Sequence, residues 1–368
     1  MVAGQNAKLA LSTLSRYLVL QRPRLYPRLA SQCRCRRSVS SKPPRAHLKP
    51  TRGAQEAASR KRRLADSILD LTSLPPSVVE SLIRDRSDDF NLLSPAEYYE
   101  SLAAFTLHVR DHDSPFQLFS PSSMSPNGWH EAANANKYLE KLPGVAVLHD
   151  LGCIVMEVSR GGRSGLASAL WFTAGNWGYA PSTCSLIAVM ARAGRYGQDA
   201  AMAPAEKRFR ALVQSGDPVA VAIEGQILYQ QGKYAEAEAA LRQVLRTHAG
   251  TDGNAAFAHW EPNARLALGM TLGRRGRTDE AVAMLRQLSD DGYIEAEPVL
   301  GRLLRGSDPE AALQHLFKAG CTGALECFEE MAAIELDRAA KTDNANDAAD
   351  HRLWAEELAR LADNRAEF

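Results

Sequence analysis

The sequence predicts an all-α fold made of stacked helix–turn–helix units. Residues after about position 143 are dominated by Ala, Leu, Glu, Arg and Gln, which are good helix formers, and strand-like alternation is nearly absent. Small residues recur at fixed spacing, as around Gly225 and Gly269. Capping residues followed by proline mark helix starts, as at Asp217 and Asp308.

Composition divides the 368 residues into three regions. We predict a leader over 1–63, an N-terminal helical region with a Pro/Ser-rich loop over 64–128, and a helical repeat domain over 129–368. In the second region, Ser94 and Glu97 form a capping-box pattern, with Pro95 at the first helical position. Three Ser-Pro pairs between positions 111 and 129 then predict a loop.

Residues 1–63 are strongly basic, with sixteen Lys or Arg side chains against a single acid, Glu56. Leucines between positions 9 and 20 lie on one side of a helix, with Arg16 opposite. An Arg-rich, Ser-rich and acid-poor amphipathic segment is typical of a mitochondrial transit peptide. We therefore expect a disordered leader that directs the protein to mitochondria and is removed there. The alternative is a basic tail that binds nucleic acid or acts in the nucleus.

The rest of the chain is acidic. Residues 64–368 carry 28 basic and 42 acidic side chains, a net charge of −14. Such a charge favours a basic partner and disfavours binding to the phosphates of a nucleic acid. No stretch after the leader reaches about 18 apolar residues, so we expect no transmembrane segment and a protein that is soluble or peripheral to the inner membrane.

Two segments repeat the same pattern of small residues. A glycine is followed by a second glycine after seven positions, an alanine after five more and a leucine after four more. The two copies are Gly225, Gly232, Ala237 and Leu241, then Gly269, Gly276, Ala281 and Leu285. We predict that the first glycine and the alanine lie where two helices cross closely, while the second glycine ends the first helix in a left-handed conformation. The leucine fills the gap between neighbouring helix pairs.

This register resembles the tetratricopeptide repeat, a helix–turn–helix of about 34 residues. Residues 169–180 and 317–324 resemble the helix-end junction of Sel1-like repeats. Further repeat-packing residues follow from these copies: Gly301, Ala319 and Gly323. The resemblance covers roughly residues 145–335 and implies a right-handed α-solenoid of tetratricopeptide or Sel1-like repeats. Members of both families commonly act as adaptors and assembly factors.

Two features within the repeats are candidates for partner contact. The 44 positions between Gly225 and Gly269 exceed one repeat, so we expect an insertion at 251–260 that contains Trp260. A local basic surface is expected from Arg242, Arg246, Arg274, Arg275 and Arg277. Trp260, Arg274 and Arg275 are the candidate contacts, the arginines for an anionic motif or RNA phosphate. The alternative for the arginines is solvated helix ends with partners four residues away.

No motif nominates a catalytic, cofactor-binding or metal-ligating residue. His108 and His112 share one helix face, but a solvated helix end is the favoured interpretation. Residues 161–165 are glycine-rich without the Lys-Ser/Thr pair of a phosphate-binding loop, so we interpret them as a turn. Four cysteines beyond the leader are expected to be buried thiols in a reducing compartment: Cys153, Cys184, Cys321 and Cys327.

These observations lead to one main hypothesis and two alternatives. The main hypothesis is a non-enzymatic interaction protein of the mitochondrial matrix, or of the matrix face of the inner membrane, that binds a basic protein or peptide through a groove lined by the first helix of each pair. By resemblance, assembly of a respiratory-chain complex or of the mitochondrial translation machinery is a plausible task. One alternative is an RNA-binding helical-repeat factor in organelle gene expression. The other is an enzyme concealed within the repeats.

Overall fold

The computed structural model describes residues 71, 74–110, 144–158, 164–248 and 255–363. Within these ranges the chain forms fourteen α-helices and two single-turn 3-10 helices, and no strand is found there. The described residues belong to two compact units, 71–182 and 183–363. Several predicted features lie outside the described residues: the leader 1–63, the loop 111–129, the boundary at 128/129, the start of the glycine-rich turn and the side chains of His108 and His112.

The first unit packs its helices in chain order. Its helices are α1 (Pro76–Asp85), α2 (Pro95–Arg110), α3 (Val145–Val158) and α4 (Ser164–Asn176). Helix α1 packs on α2 and α3 on α4, and both α1 and α2 also contact α3. The predicted capping box forms, because the Ser94 backbone N–H donates to Glu97 Oε2 (2.8 Å) and the Glu97 N–H donates to Ser94 Oγ (3.4 Å). This cap fixes the start of α2.

The second unit contains the remaining helices. They are α5 (Ala180–Arg192, which spans the boundary between the units), α6 (Ala203–Gln214), α7 (Pro218–Gln230), α8 (Tyr234–His248), α9 (Ala255–Arg274), α10 (Thr278–Asp290), α11 (Glu297–Leu304), α12 (Pro309–Cys321), α13 (Glu326–Lys341) and α14 (Ala345–Ala362). The 3-10 turns are Ala200–Met202 and Ile294–Ala296. The predicted caps form, since Asp217 accepts from the Ala220 N–H (2.9 Å) and Asp308 from the Ala311 N–H (3.0 Å).

Four helix pairs stack from α7 to α14. The pairs are α7–α8, α9–α10, α11–α12 and α13–α14, and we call the first helix of each pair the A helix and the second the B helix. Each B helix except the last also contacts the following A helix, so every pair shares a core with its neighbours. The prediction of an all-α fold with stacked helix–turn–helix repeats is confirmed.

Two details differ from the sequence expectations. Cys321 is exposed, because it is the last residue of α12 and its side chain meets solvent at the turn; Cys184 and Cys327 are buried and Cys153 is half-buried. The expected insertion 251–260 is helical from Ala255 onward, and α9 continues through Pro262. Trp260 therefore lies on a helix that extends α9 at its N-terminal end.

Candidate partner-binding surface

Glycines set the spacing of the A and B helices. A Cβ on Gly225 would lie 2.5 Å from Leu241 Cγ, and one on Gly269 would lie 2.8 Å from both Leu285 Cγ and Cδ2. Real Cβ contacts are longer, so the leucine of the B helix occupies the space left by the missing side chain of the A helix. The alanines of the register, Ala237 and Ala281, have no exposed surface, and neither do the two leucines. Gly232 and Gly276 end their A helices with φ values of 78° and 75°.

The third pair, α11–α12, also places a glycine of the A helix against a leucine of the B helix, but at a different spacing along the chain. A Cβ on Gly301 would lie 2.5 Å from Leu316 Cγ, and Leu316 is one residue closer than the spacing of the other copies predicts. Ala319 is 1% exposed on α12, and Gly323 forms the following turn with φ 102°. Gly320, which belongs to the Sel1-like segment 317–324, lies against the Phe328 ring.

Glu238 on α8 binds three arginines. Its carboxylate accepts from Arg242 on the same helix (2.7 Å), and from Arg275 and Arg277 in the turn between α9 and α10. Glu280, at the start of α10, pairs with Arg242 (2.9 Å) and with Arg277. Only 7% of the Glu238 side chain is exposed, so this network joins one repeat to the next under partial cover from solvent.

The network changes the interpretation of the basic surface. Burial raises the pKa of Glu238, but hydrogen bonds from Arg242 and Arg275 outweigh this effect, and the pKa is lowered overall. Glu238 therefore stays ionised at neutral pH and neutralises much of the surrounding positive charge. Sequence reasoning missed this partner, although Arg275 and Arg277 follow Glu238 by 37 and 39 positions, close to one repeat length.

The other candidate contacts lie apart from this network. Arg274 is exposed at the end of α9 and hydrogen-bonds to Tyr229 of α7, an interaction that raises the pKa of the guanidinium. The Tyr229 ring lies 5.6 Å from the Tyr234 ring, and both side chains are half-buried. Trp260 is half-buried on α9. Arg274 thus contacts the neighbouring A helix, whereas Arg275 is bound to the Glu238 carboxylate.

Polar contacts join consecutive A helices. The Tyr293 hydroxyl, just before α11, donates to Asn263 Oδ1 of α9 (2.8 Å). Arg302 of α11 binds Glu330 of α13 through two nitrogens at 2.8–2.9 Å. Such a bidentate pair fixes both side chains. Together with Tyr229 and Arg274, these residues define what we call the A-helix face. None of them was nominated from sequence as a linking pair, since their partners lie 28 to 45 positions apart.

The first unit contains a buried polar cluster that sequence reasoning also missed. His149 Nδ1 lies 3.0 Å from Ser182 Oγ, and His149 Nε2 lies 3.7 Å from Cys153 Sγ. Burial lowers the pKa of His149 to about 4 and raises the pKa of Cys153 to about 12. At neutral pH the imidazole is uncharged and the thiol protonated, so the pair lacks the thiolate that a nucleophilic cysteine needs.

The side-chain clusters and helices of the described ranges also bear on metal binding and membrane insertion. Within 74–110, 144–158, 164–248 and 255–363, no three His, Cys, Asp or Glu side chains come together in a way that suits a metal ion. Among the helices of those ranges, none combines the length and the apolar character needed to cross a bilayer.

Comparison with known proteins agrees with the helix pairs. Models of the tetratricopeptide repeat match residues 225–249 and 262–287. A crystal structure of a Sel1 repeat protein from Oxalobacter formigenes aligns over 63% of this chain and 97% of its own, with 18% identity and a TM-score of 0.37. No curated protein matches the chain significantly. The two matched segments overlap α7–α8 and α9–α10, so these two helix pairs are similar to tetratricopeptide repeats.

Proposed function

We propose that this protein is a non-enzymatic mitochondrial adaptor that binds a basic protein partner through the A-helix face of residues 218–335. The observation that carries the proposal is a stack of helix pairs, two of them matching tetratricopeptide repeats, that becomes strongly acidic along its length. Tetratricopeptide repeats typically mediate protein–protein interactions, and stacked pairs provide an extended surface for a peptide or helix.

The charge of the second unit supports a basic partner. Residues 278–363 carry nineteen acidic and eight basic side chains, whereas residues 183–277 carry eight acidic and twelve basic ones. A basic segment is attracted to the acidic end, and this attraction increases the association rate more than the final affinity. Binding should therefore weaken as salt is added, because exposed charges are screened over about 10 Å at 0.1 M.

The ion pairs formed by the arginines of the repeats weigh against the RNA-binding alternative. Phosphate contacts require cationic side chains that are available to a ligand. Arg242, Arg275 and Arg277 are bound to Glu238 and Glu280, so an RNA backbone would have to compete with two carboxylates for them. No observation favours RNA over a protein partner.

The cellular address rests on composition. Sixteen basic residues and one acid in residues 1–63 support import into the matrix, where the membrane potential favours positive segments. Adaptor repeats in that compartment suit an assembly factor for a respiratory-chain complex or for the translation machinery. Residues 1–63 fused to a fluorescent protein should locate to mitochondria, and Arg16→Glu with Arg22→Glu should reduce import. Nuclear or cytosolic fluorescence of the unmodified fusion would contradict the address.

Proximity labelling in intact mitochondria tests the partner. The full chain should label proteins with basic segments, and Ala281→Arg should abolish this labelling because it disrupts the crossing of α9 and α10. Ala283→Arg is the matched control, since Ala283 is exposed on the same helix. Arg274→Glu separates the alternatives: a basic partner should be retained or bound more tightly, whereas RNA crosslinking should fall.

Two outcomes would overturn the adaptor proposal. The first is labelling that does not differ between wild type and Ala281→Arg while the variant is demonstrably unfolded. The second is turnover of a small molecule by the purified protein, abolished by one substitution that leaves the fold intact.

A further inference from the structure

The last helix exposes a tryptophan beside the core. Trp354 on α14 is 64% exposed, an unusual state for the largest apolar side chain. Leu358 and Leu361 follow it by four and seven positions, so the three side chains share one side of the helix. Leu358 is buried and Leu361 partly buried in the core of α9–α14. The exposed indole therefore continues a stripe whose other members pack inward.

A second exposed aromatic borders the same core. Phe317 on the preceding B helix, α12, is 52% exposed. Its ring meets the Phe328 ring edge to face, with centroids 6.4 Å apart. Phe328 and Leu358 belong to one core cluster, with Leu361 packed at its border. Two B helices thus each leave an aromatic ring exposed beside this core, and exposed aromatic side chains are enriched at interaction sites.

Acidic side chains flank the tryptophan. Asp347, Asp350 and Glu357 lie seven and four positions before Trp354 and three positions after it, and so project from the same side of α14. All three are exposed. Glu357 pairs with Arg360, whereas no side chain of the described ranges forms an ion pair with Asp347 or Asp350. We call Asp347, Asp350, Trp354, Glu357 and Leu361 the α14 face.

We propose that the α14 face docks an amphipathic helix of a partner protein that presents Lys or Arg beside an apolar stripe. An apolar centre with acidic flanks complements a helix with the opposite arrangement. A second copy of this chain fits poorly, because the same acids would meet across the contact. The inference rests on the proposed function in treating the chain as an interaction protein, but it uses B helices at the end of the stack.

A binding measurement with the full chain tests this. The probe is a fluorescent amphipathic peptide of Leu and Lys, about 18 residues long, and its control is a scrambled peptide of the same composition. Fluorescence anisotropy should show tighter binding of the amphipathic peptide. Trp354→Ala should weaken that binding by about tenfold or more, as expected for a central aromatic anchor. Leu336→Ala is the matched control, because Leu336 is a large apolar side chain that is 52% exposed on α13 and so lies outside the α14 face.

Charge reversal provides a second comparison. Asp350→Lys should weaken binding by about fivefold at low salt and by less at high salt. Glu356→Lys changes the net charge equally but lies two positions after Trp354, on the far side of α14, and should have an effect below about twofold. Unfolding curves should coincide for all four variants, since each replaced side chain is exposed.

Three results would overturn the inference. They are equal losses for Trp354→Ala and Leu336→Ala, equal binding of the scrambled peptide, and a dimer in light scattering that Trp354→Ala dissociates. The last would show that a second copy occupies the face. Failure of the adaptor proposal looks different: mitochondrial labelling would find no protein partner while the peptide still bound through Trp354. Labelling of a partner together with a peptide insensitive to Trp354 would remove only the inference.

Discussion

Two sets of helix contacts in this protein, the A–B crossings of the repeats and the contacts among α1–α3 in the first unit, use different means. In the repeats, A and B helices meet where Gly225 lies under Leu241 and Gly269 under Leu285, with apolar atoms on both sides. In the unit of residues 71–182, helices α1 to α3 are joined by polar groups away from solvent. Arg86 forms an ion pair with Glu157 with 8% and 11% of the two side chains exposed, and Tyr98 donates to Asp150 (2.8 Å).

This difference has an energetic consequence. Close apolar packing gains free energy from every contact and tolerates moderate rearrangement of side-chain ends. A buried ion pair loses hydration on both sides, and its attraction compensates only while both partners are present. Burial, together with the nearby Asp89 carboxylate, raises the pKa of Glu157 despite the ion pair with Arg86. The A–B crossings should therefore be sensitive to side-chain size, and the contacts among α1–α3 to the loss of a charge.

Removing one member of the buried pair should have the largest effect. Arg86→Met leaves Glu157 without its ion-pair partner and should destabilise residues 71–182 by about 3–5 kcal/mol. The double variant Arg86→Met with Glu157→Leu should recover most of this loss. Arg305→Met is the control in the repeats, where Arg305 and Asp337 are both about half exposed, and should cost about 1 kcal/mol or less. Hydrogen exchange of α1–α3 peptides measures the effect; a double variant as unstable as the single one would contradict it.

Side-chain size should affect stability at the crossings of the A and B helices. Ala281→Arg forces a long charged side chain into a crossing where Ala281 has no exposed surface, at a cost of about 3 kcal/mol from overpacking and desolvation. Ala283→Arg, exposed on the same helix, should cost less than about 0.5 kcal/mol. Thermal unfolding followed by circular dichroism compares them. An unchanged melting temperature for Ala281→Arg would show that the helix-pair register is wrong.

The contrast between packing that recurs in every repeat and polar contacts that occur once explains what could be predicted from sequence. The Gly, Ala and Leu register recurs because each repeat solves the same packing problem, so the helix pairs could be recognised from spacing alone. The Tyr98–Asp150 contact spans 52 positions and occurs once, so no periodicity reveals it. Glu238 is an intermediate case. Its partners Arg275 and Arg277 lie about one repeat further along the chain, but no helical spacing rule predicts a carboxylate at position 238.

The stability of the first unit should depend on pH through two neighbouring residues, His149 and Asp150, whose effects have opposite signs. Burial lowers the pKa of His149 to about 4, so its contribution to stability is present above pH 6.5 and is lost as the pH falls towards 4. Burial raises the pKa of Asp150 to about 6, so its contribution is present below pH 4 and is lost as the pH rises through 6. The two largely cancel in the wild type.

Single substitutions should uncover each contribution. In Asp150→Asn the His149 effect remains, opposed in part by the buried Glu157, and the stability of residues 71–182 should rise by up to about 3 kcal/mol between pH 4 and 6.5. In His149→Gln the Asp150 effect remains, together with the burial of Glu157, and stability should fall over the same range. Hydrogen exchange of α3 and α4 at several pH values tests both slopes, and two variants with slopes of the same sign would refute the assignment.

The smallest predicted effect compares one glycine from each unit. A Cβ on Gly269 meets Cγ and Cδ2 of the buried Leu285 side chain at 2.8 Å, whereas a Cβ on Gly152 meets the Trp171 ring, which is fixed by donation of its Nε1–H to the His149 carbonyl (3.2 Å). Both Gly→Ala changes gain about 1 kcal/mol of helix propensity. Gly269→Ala should therefore cost about 1 kcal/mol after this gain, and Gly152→Ala about 1 kcal/mol more, because the ring cannot move without losing that bond. Gly306→Ala, with no atom within 4 Å of its Cβ, is the control, and hydrogen exchange resolves the two units. Equal costs at Gly152 and Gly269 would mean that the indole yields as readily as the leucine, and that the first unit is no more rigidly packed than the repeats.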